Sequence, residues 1–311
     1  MEKIAIVFPG QASQYVGMGR DLYDSDSEVR KLYETASNDI GDDIAELSFN
    51  GPAERLKETR YTQPAILLHS LAVLEIMKER LPKAVLTAGH SLGEYGALAL
   101  SGVLSPVESV KAVVKRSSLM EDACRRSKGT MAAIMGLDEK TITECCEIAS
   151  EKGVVVPANF NSAIQIVISG AVEGVEEACR LCKEKGAKRA VMLEVGGAFH
   201  SPLMEPAREG MQDYLSTVDF EKPAVDIIPN VTGRAENDPE KLKKLLVDQL
   251  TSPVRWHQTL QYKKGHGVDA VIEVGPGKVL SGLAKRELKG ARIFNIDTLE
   301  DIENFKEIRV E

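Results

Sequence analysis

Short apolar runs alternate with longer amphipathic segments along most of the chain. Residues 4–8 and 84–88 are largely apolar and are typical of buried strands. Residues 64–80 carry apolar side chains at helical spacing, and residues 106–124 form a second helical pattern with a proline in its first turn. Strands that alternate with helices predict an α/β fold with a central, mainly parallel sheet.

The pattern changes after residue 127. Residues 130–194 predict the order strand–helix–strand–strand–helix–strand, which is typical of a ferredoxin-like unit. The predicted strands are 130–137, 154–160, 165–170 and 188–194, and the predicted helices are 139–152 and 171–185. We therefore predict a hydrolase-like large domain of residues 1–127 and 197–311, with an inserted ferredoxin-like small domain of residues 128–196.

The length supports two domains, because 311 residues exceed the size at which a single hydrophobic core stops growing. A net charge of −8 argues against nucleic-acid binding. No apolar run reaches the roughly 18 residues of a membrane-spanning helix, and the first residues lead into a strand without the layout of a signal peptide. We therefore expect a cytoplasmic protein without membrane contact.

The five cysteines are consistent with a reducing compartment. Cys145-Cys146 and Cys179-x-x-Cys182 raise the alternative of a tetrathiolate metal site, but ligands of such sites usually come from loops and turns. Both pairs lie in predicted helices, and one pair is adjacent in sequence. We expect these cysteines to be small packed side chains, and we expect no metal site.

The run Gly89-His90-Ser91-Leu92-Gly93 carries the strongest chemical signal. Gly-x-Ser-x-Gly between a predicted strand and a predicted helix is the pattern of a nucleophile elbow, in which a sharp turn exposes the serine hydroxyl. The same turn directs the N–H of Leu92 toward a developing oxyanion. The pattern predicts acyl transfer through an ester of Ser91. An ordinary glycine-rich turn is the alternative.

Serine needs a base, and His200 is the best candidate among the five histidines. It follows two glycines at the predicted seam between the domains, and a serine that precedes the histidine is the chain order of α/β-hydrolases. His69 lies in an apolar helix and is expected to be packed. His90 is expected to form structural hydrogen bonds. His257 and His266 lie in polar, exposed stretches.

Several further blocks accompany these residues. They read Phe8-Pro9-Gly10-Gln11-Ala12-Ser13-Gln14, Thr62-Gln63-Pro64-Ala65, Gly89-His90-Ser91-Leu92-Gly93-Glu94-Tyr95, Ala198-Phe199-His200-Ser201, Pro253-Val254-Arg255-Trp256 and Glu273-Val274-Gly275-Pro276-Gly277. In this order the chain resembles the malonyl-CoA:acyl carrier protein transacylases of type II fatty acid synthesis over nearly its whole length. Acyltransferase domains of megasynthases share the blocks, and a free-standing chain favours the discrete enzyme.

The resemblance implies a ping-pong transfer from malonyl-CoA to holo acyl carrier protein, by a monomer that needs no cofactor. It implies that Ser91 is the nucleophile and His200 the general base. It implies that Leu92 and Gln11 supply the N–H groups of the oxyanion hole. His200 has no obvious acidic partner in the sequence, and the family implies that the backbone carbonyl of Gln249 orients its ring instead.

The resemblance also implies which residues choose the substrate. An arginine in an apolar helix ordinarily extends its charge to solvent, whereas the family places Arg116 against the malonyl carboxylate. Phe199, in the Ala-Phe-His block, implies a preference for malonyl over the α-branched methylmalonyl group. Met120 and Asn161 are implied to line the same pocket.

Acyl carrier proteins are strongly acidic, so an enzyme of net charge −8 needs a local basic patch to attract one. Two basic pairs are candidates, and ordinary solvated charge is the alternative for both. These candidate docking residues are Lys188, Arg189, Lys285 and Arg286.

Two other functions stay open at this point. The elbow by itself would also suit a serine esterase or thioesterase, although an arginine in the pocket and an extra domain favour transfer. A non-catalytic scaffold that binds carrier proteins is the third alternative, and a serine-reactive phosphonate that labels Ser91 would argue against it.

Overall fold

The computed structural model describes residues 2–305, which form one parallel and one antiparallel sheet. The predicted α/β class with a central parallel sheet is confirmed. The strands of the described residues are β1 (Ile4–Phe8), β2 (Leu86–Gly89), β3 (Gly129–Met135), β4 (Val155–Ser162), β5 (Gln165–Ala171), β6 (Arg189–Met192), β7 (Asp226–Ile227), β8 (Ala270–Val274) and β9 (Arg292–Ile296).

Helices cover both sheets. They are α1 (Arg20–Ser25), α2 (Ser27–Ile40), α3 (Ile44–Asn50), α4 (Ala53–Leu56), α5 (Thr59–Met77), α6 (Glu94–Leu100), α7 (Pro106–Arg126), α8 (Glu139–Ala149), α9 (Val172–Glu184), α10 (Glu205–Leu215), α11 (Pro239–Asp248), α12 (Trp256–Gly265), α13 (Val279–Glu287) and α14 (Leu299–Asn304). Single 3₁₀ turns occupy Ser91–Gly93 and Pro202–Met204. Across residues 2–305, none of these helices combines the length and apolar character needed to span a membrane.

The parallel sheet has the order β7-β2-β1-β8-β9. Every residue of β1, β2 and β8 is buried, as expected for central strands with helices on both faces. Alternate side chains of β1 enter two different cores, Ile6 and Phe8 on one face and Ala5 and Val7 on the other. Ligand sites of such sheets lie at the carboxyl ends of the strands, and Gly89 ends β2 there.

The long helix α5 starts at Thr59, before the start that the sequence predicted at Pro64. Proline lacks an N–H, so Pro64 leaves the carbonyl of Arg60 without its usual helical partner. The Ser117 hydroxyl of the adjacent helix α7 lies 3.3 Å from that carbonyl oxygen and 3.0 Å from the carbonyl oxygen of Val114 in its own helix, so its one hydrogen is shared between the two. The helix continues through the proline.

The antiparallel sheet has the order β4-β5-β3-β6, which is the strand order of a ferredoxin-like unit. Its two faces have different partners, since successive side chains of a strand alternate between them. One face, with Ala132 and Ile134 of β3, packs under α8 and α9. The other face, with Met131 and Ala133, joins the main core. The predicted ferredoxin-like strand order is therefore present, and this sheet packs against the parallel-sheet part of the chain.

The four helix-borne cysteines fill the space between the small sheet and its helices. Cys145, Cys146, Cys179 and Cys182 are buried free thiols in that core. Burial raises the pKa of the Cys146 thiol to about 12. Within residues 2–305, no three or more His, Cys, Asp or Glu side chains are arranged so that they could hold a metal ion.

Candidate active site

Ser91 occupies a sharp turn between β2 and α6. Its φ of 51° lies in the left-handed region, which is unusual for a residue with a side chain. The turn requires glycine on both sides of the serine. A Cβ at Gly89 would lie 1.9 Å from the backbone of Gly93, and a Cβ at Gly93 would lie 2.3 Å from the carbonyl oxygen of Phe8. This close packing gives the elbow geometry expected from the Gly-x-Ser-x-Gly run.

The Ser91 hydroxyl is paired with His200. Ser91 Oγ lies 2.8 Å from His200 Nε2, and His200 Nδ1 lies 2.8 Å from the carbonyl oxygen of Gln249. A carbonyl oxygen only accepts hydrogen bonds, so the proton is assigned to Nδ1, and Nε2 accepts from the serine. Burial, and secondly the charge of Arg116, lowers the pKa of His200 to about 3. The ring is therefore neutral near pH 7 and able to take a proton.

The loop that carries His200 is held tightly against α7. A Cβ at Gly197 would lie 2.1 Å from the Cys124 sulfur, so a larger residue there would have to displace the Cys124 side chain. The Ser201 hydroxyl donates to the carbonyl of Ala198 at 2.7 Å. His200 itself has a φ of 57°, a second left-handed residue with a side chain in this site. Strained backbone of this kind clusters at functional sites, where the surrounding structure holds it in place.

Arg116 projects from α7 and is fully buried beside the serine. Its guanidinium donates to Gln63 Oε1 at 2.6 Å, to Gln249 Oε1 at 2.9 Å and to Ser91 Oγ at 3.1 Å. Among the described residues no carboxylate forms an ion pair with it, and its Nε has no partner. Burial lowers the pKa of Arg116. A buried guanidinium that has only neutral acceptors is prepared for an anion.

Two backbone N–H groups near Ser91 are free to bind a ligand atom. Within the part of the chain described, no hydrogen bond uses the N–H of Leu92 or that of Gln11. Leu92 follows the serine at the start of the helical turn, and Gln11 follows β1 on the neighbouring strand. Both positions are those expected for donors to an oxyanion.

A cavity of about 490 Å³ opens in front of Ser91 and His200, between the parallel-sheet part and the small sheet. Phe199, Met120, Asn161 and Gln11 line it. Asn161 Oδ1 lies 2.9 Å from His90 Nε2, which gives His90 the structural bond expected of it. The cavity can hold an acyl group next to the serine.

The four candidate docking residues are exposed but are not all near the cavity. Arg286 of α13 lines the cavity, and Lys285 is its exposed neighbour. Arg189 begins β6 of the small sheet, Lys188 directly precedes it, and neither lines the cavity.

Three site residues received no role in the sequence analysis. Gln63 accepts from Arg116, Asn230 Oδ1 accepts from the N–H of Ser91 at 2.7 Å, and Glu94 Oε2 accepts from Gln249 Nε2 at 2.8 Å. Gln63 and Glu94 belong to the blocks that carry the family resemblance, so a signal for them existed. Asn230 has only its place shortly after strand β7.

A serine at a strand–helix elbow, paired with a neutral histidine beside an open cavity, defines the class of α/β enzymes that work through an acyl-serine ester. The chain matches the acyl transferase domain family over residues 5–303. It belongs to this family and is an acyltransferase.

Individual members of the family match this chain over nearly its whole length. The chain is 43% identical over 304 residues to the malonyl CoA-acyl carrier protein transacylase of Bacillus subtilis (strain 168), covering 96% of each protein. A crystal structure of an acyl carrier protein S-malonyltransferase from Vibrio cholerae O1 biovar eltor str. N16961 matches with a TM-score of 0.93 at 42% identity, covering 98% of this chain and 100% of that one. A type II PKS acyl-carrier protein in complex with its malonyl-transacylase matches with a TM-score of 0.92 at 37% identity, covering 97% of each chain.

Proposed function

We propose that this protein transfers the malonyl group of malonyl-CoA to the phosphopantetheine thiol of acyl carrier protein, and so supplies the elongation unit of fatty acid synthesis. The names of its relatives support the malonyl donor and the carrier acceptor. The geometry of Ser91, His200 and Arg116 supports a ping-pong reaction through a malonyl-serine ester.

In the first half-reaction Ser91 Oγ bonds to the thioester carbonyl carbon, and its proton passes to His200 Nε2. The carbon–sulfur bond then breaks, and His200 returns that proton to the CoA sulfur. In the second half-reaction the phosphopantetheine thiol gives its proton to His200, and its sulfur bonds to the ester carbonyl carbon. The ester bond breaks and the proton returns to Ser91 Oγ. The N–H groups of Leu92 and Gln11 stabilise the oxyanion in both halves.

The observation that carries the malonyl assignment is the buried guanidinium of Arg116, 3.1 Å from Ser91 Oγ and without an ion-pair partner in the described residues. The terminal carboxylate of a malonyl group would give it one, in a bidentate contact. An acetyl group would leave the charge unpaired. The positive charge of Arg116 contributes to the lowered pKa of His200. The malonyl carboxylate would offset that charge.

The remaining site residues receive supporting roles. Gln249 orients His200 through its backbone carbonyl, and Met120 and Asn161 shape the pocket. Phe199, 6% exposed and at the cavity wall, excludes an α-methyl group. Every step uses side chains and amides of the chain itself, so the reaction needs no cofactor or metal.

The finer organisation is part of the same proposal. Residues 128–196 would form the small domain, and residues 1–127 and 197–311 the large catalytic one. The basic pairs at 188–189 and 285–286 would attract the acidic carrier. The protein would act as a cytoplasmic monomer that binds neither membranes nor nucleic acid.

The test is a transfer assay with purified protein, malonyl-CoA and holo acyl carrier protein, read by the mass of the carrier. The proposal predicts a carrier that gains one malonyl group, and no gain with Ser91→Ala. A matched reaction without carrier measures hydrolysis. Steady CoA release at the same rate with and without carrier would assign a thioesterase instead.

A further inference from the structure

One carboxylate oxygen, Oε2 of Glu94, accepts hydrogen bonds from two residues that hold the reacting groups in place. Glu94 is 1% exposed in the first turn of α6, three residues after Ser91. Its Oε2 accepts from the backbone N–H of Asn230 at 2.9 Å and from Gln249 Nε2 at 2.8 Å. Neither hydrogen bond reaches Ser91, His200 or Arg116. Asn230, however, contacts Ser91, and Gln249 contacts His200 and Arg116.

The first partner, Asn230, fixes the elbow. Its side-chain oxygen accepts from the N–H of Ser91 at 2.7 Å, and its side-chain nitrogen donates to the carbonyl of Gly89 at 2.6 Å. These two bonds hold both ends of the turn that keeps Ser91 at its left-handed φ of 51°. Glu94 holds the backbone of Asn230 and so fixes the position from which this side chain acts.

The second partner, Gln249, holds the other half of the site. Its backbone carbonyl accepts from His200 Nδ1, and its side-chain oxygen accepts from Arg116. Arg116 only donates, so the amide oxygen must face it, and the amide nitrogen must face an acceptor. That nitrogen donates to Glu94 Oε2 at 2.8 Å and to the carbonyl oxygen of Ser91 at 3.1 Å, so Glu94 is the shorter-range of the two acceptors that fix the amide orientation Arg116 needs.

We propose that Glu94 is a positioning residue, which acts through Asn230 and Gln249 to fix Ser91, His200 and Arg116 in one arrangement. The proposal rests on the acyl-transfer function proposed above. It assigns the effect to hydrogen-bond acceptance at Oε2. Both donors are N–H groups aimed at the same oxygen, so a neutral side chain with one well-placed oxygen can replace the carboxylate.

The bonds around Glu94 predict how two substitutions differ. Glu94→Met keeps the length and the helix propensity of the side chain but removes the acceptor, which leaves the backbone N–H of Asn230 and one of the two N–H groups of Gln249 Nε2 without a partner. Glu94→Gln keeps one oxygen in place. A misplaced reacting group costs about 100-fold in rate, and we expect a loss of that order in Glu94→Met and no more than about threefold in Glu94→Gln.

The experiment measures the rate constant for labelling of Ser91 by a neutral fluorophosphonate, and the KM for malonyl-CoA. The labelling reports the Ser91–His200 pair, and the KM reports Arg116. Simple destabilisation lowers the amplitude of labelling, because less protein is folded, but it does not change the rate constant of the folded fraction. Glu94→Met should lower the rate constant and raise KM, and Glu94→Gln should restore both.

Glu273→Met is the matched control. Glu273 is an equally buried carboxylate that accepts from two backbone N–H groups, of Leu280 at 3.0 Å and Ser281 at 2.7 Å, with no hydrogen bond to Ser91, His200 or Arg116. It should lose thermal stability and keep the labelling rate constant.

Unchanged labelling and KM in Glu94→Met would overturn the proposal, and so would a Glu94→Gln variant as slow as Glu94→Met. Fluorophosphonate labelling needs no malonyl-CoA. Wild-type protein that labels at Ser91 but transfers no malonyl group would therefore remove the proposed function and leave the positioning test in force.

Discussion

Arg116 and Ser91 meet through one hydrogen bond, 3.1 Å from Nη2 to Oγ, and Ser91 lines the cavity. The serine hydroxyl thus accepts from a buried cation while it donates to His200 Nε2. A substrate carboxylate that pairs with Arg116 would bring its own carbonyl group close to the nucleophile. Substrate choice and nucleophile placement therefore depend on the same pair of residues.

Replacement of Arg116 tests that link. Arg116→Ala should lower kcat/KM for malonyl-CoA by about 100-fold or more, because the carboxylate loses its buried partner. The ratio of acetyl to malonyl transfer should rise at the same time. The measurement is kcat/KM for both CoA thioesters. Arg116→Lys, which keeps the charge but not the planar fork, should recover only part of the malonyl activity, and an unchanged acetyl-to-malonyl ratio in Arg116→Ala would remove the carboxylate-binding role.

Phe199 sets a second selection. Phe199→Ser should raise the ratio of kcat/KM for methylmalonyl-CoA to that for malonyl-CoA by about 10-fold, since the smaller side chain makes room for one methyl group. Phe199→Leu keeps apolar bulk at the cavity wall and serves as the control. Equal selectivity in wild type and Phe199→Ser would show that another part of the wall excludes the branch.

Charge reversal tests the carrier-docking residues. Replacing the four basic residues by glutamate should raise the KM for acyl carrier protein at low salt by about 10-fold, with the difference shrinking as salt screens the charges. Transfer to a small uncharged thiol should change little. Lys140→Glu with Lys183→Glu, on exposed positions of α8 and α9, is the control. If reversal leaves carrier kinetics unchanged at low salt, these residues are ordinary solvated charge. The four are Lys188, Arg189, Lys285 and Arg286.

Lys263 gives a prediction about stability. It is fully buried over the Trp256 ring, 4.9 Å from its centre, and its ammonium has no hydrogen-bond partner in the described residues. Burial lowers its pKa from 10.5 to about 7. Between pH values of about 7 and 10.5 the unfolded chain therefore binds more protons than the folded chain. The stability of the wild type rises with pH across that window. Below it, the full cost of burying the charge remains.

Lys263→Met should therefore raise the free energy of unfolding by about 1–3 kcal/mol at pH 6, and by less at pH 9. Urea unfolding of both proteins at the two pH values measures the difference. A gain that is equal at both values, or a loss at pH 6, would contradict the assigned cause.

The sequence was sufficient for the elements with clear periodicity. Strand β1 occurs where the apolar run of residues 4–8 predicted it, and β2 overlaps the run of residues 84–88, because central parallel strands are buried on both faces. Strand β9 at Arg292–Ile296 was missed, because an edge strand keeps polar side chains such as Arg292 and Asn295 and has no continuous apolar run. The start of α5 was missed, because proline favours the first turn of a helix, whereas Pro64 lies inside this one.

Some residues of the site could likewise be predicted from the sequence, and others could not. Ser91 has a local motif, and His200 has a position in the chain that favours it. Asn230 and Gln249 have neither, since an ordinary amide becomes important only when the fold brings it to the elbow. Family resemblance supplied Gln249, and only the three-dimensional contacts supplied Asn230.

The acyl-serine mechanism is tested most directly by the intact mass of the protein after brief mixing with malonyl-CoA, without carrier. We expect wild type to gain the mass of one malonyl group, with peptide mapping locating it on Ser91, and Ser91→Ala to gain none. Addition of holo acyl carrier protein should then remove that mass from the enzyme. A malonyl adduct that persists in Ser91→Ala, or CoA release without any adduct on wild type, would contradict the acyl-serine mechanism.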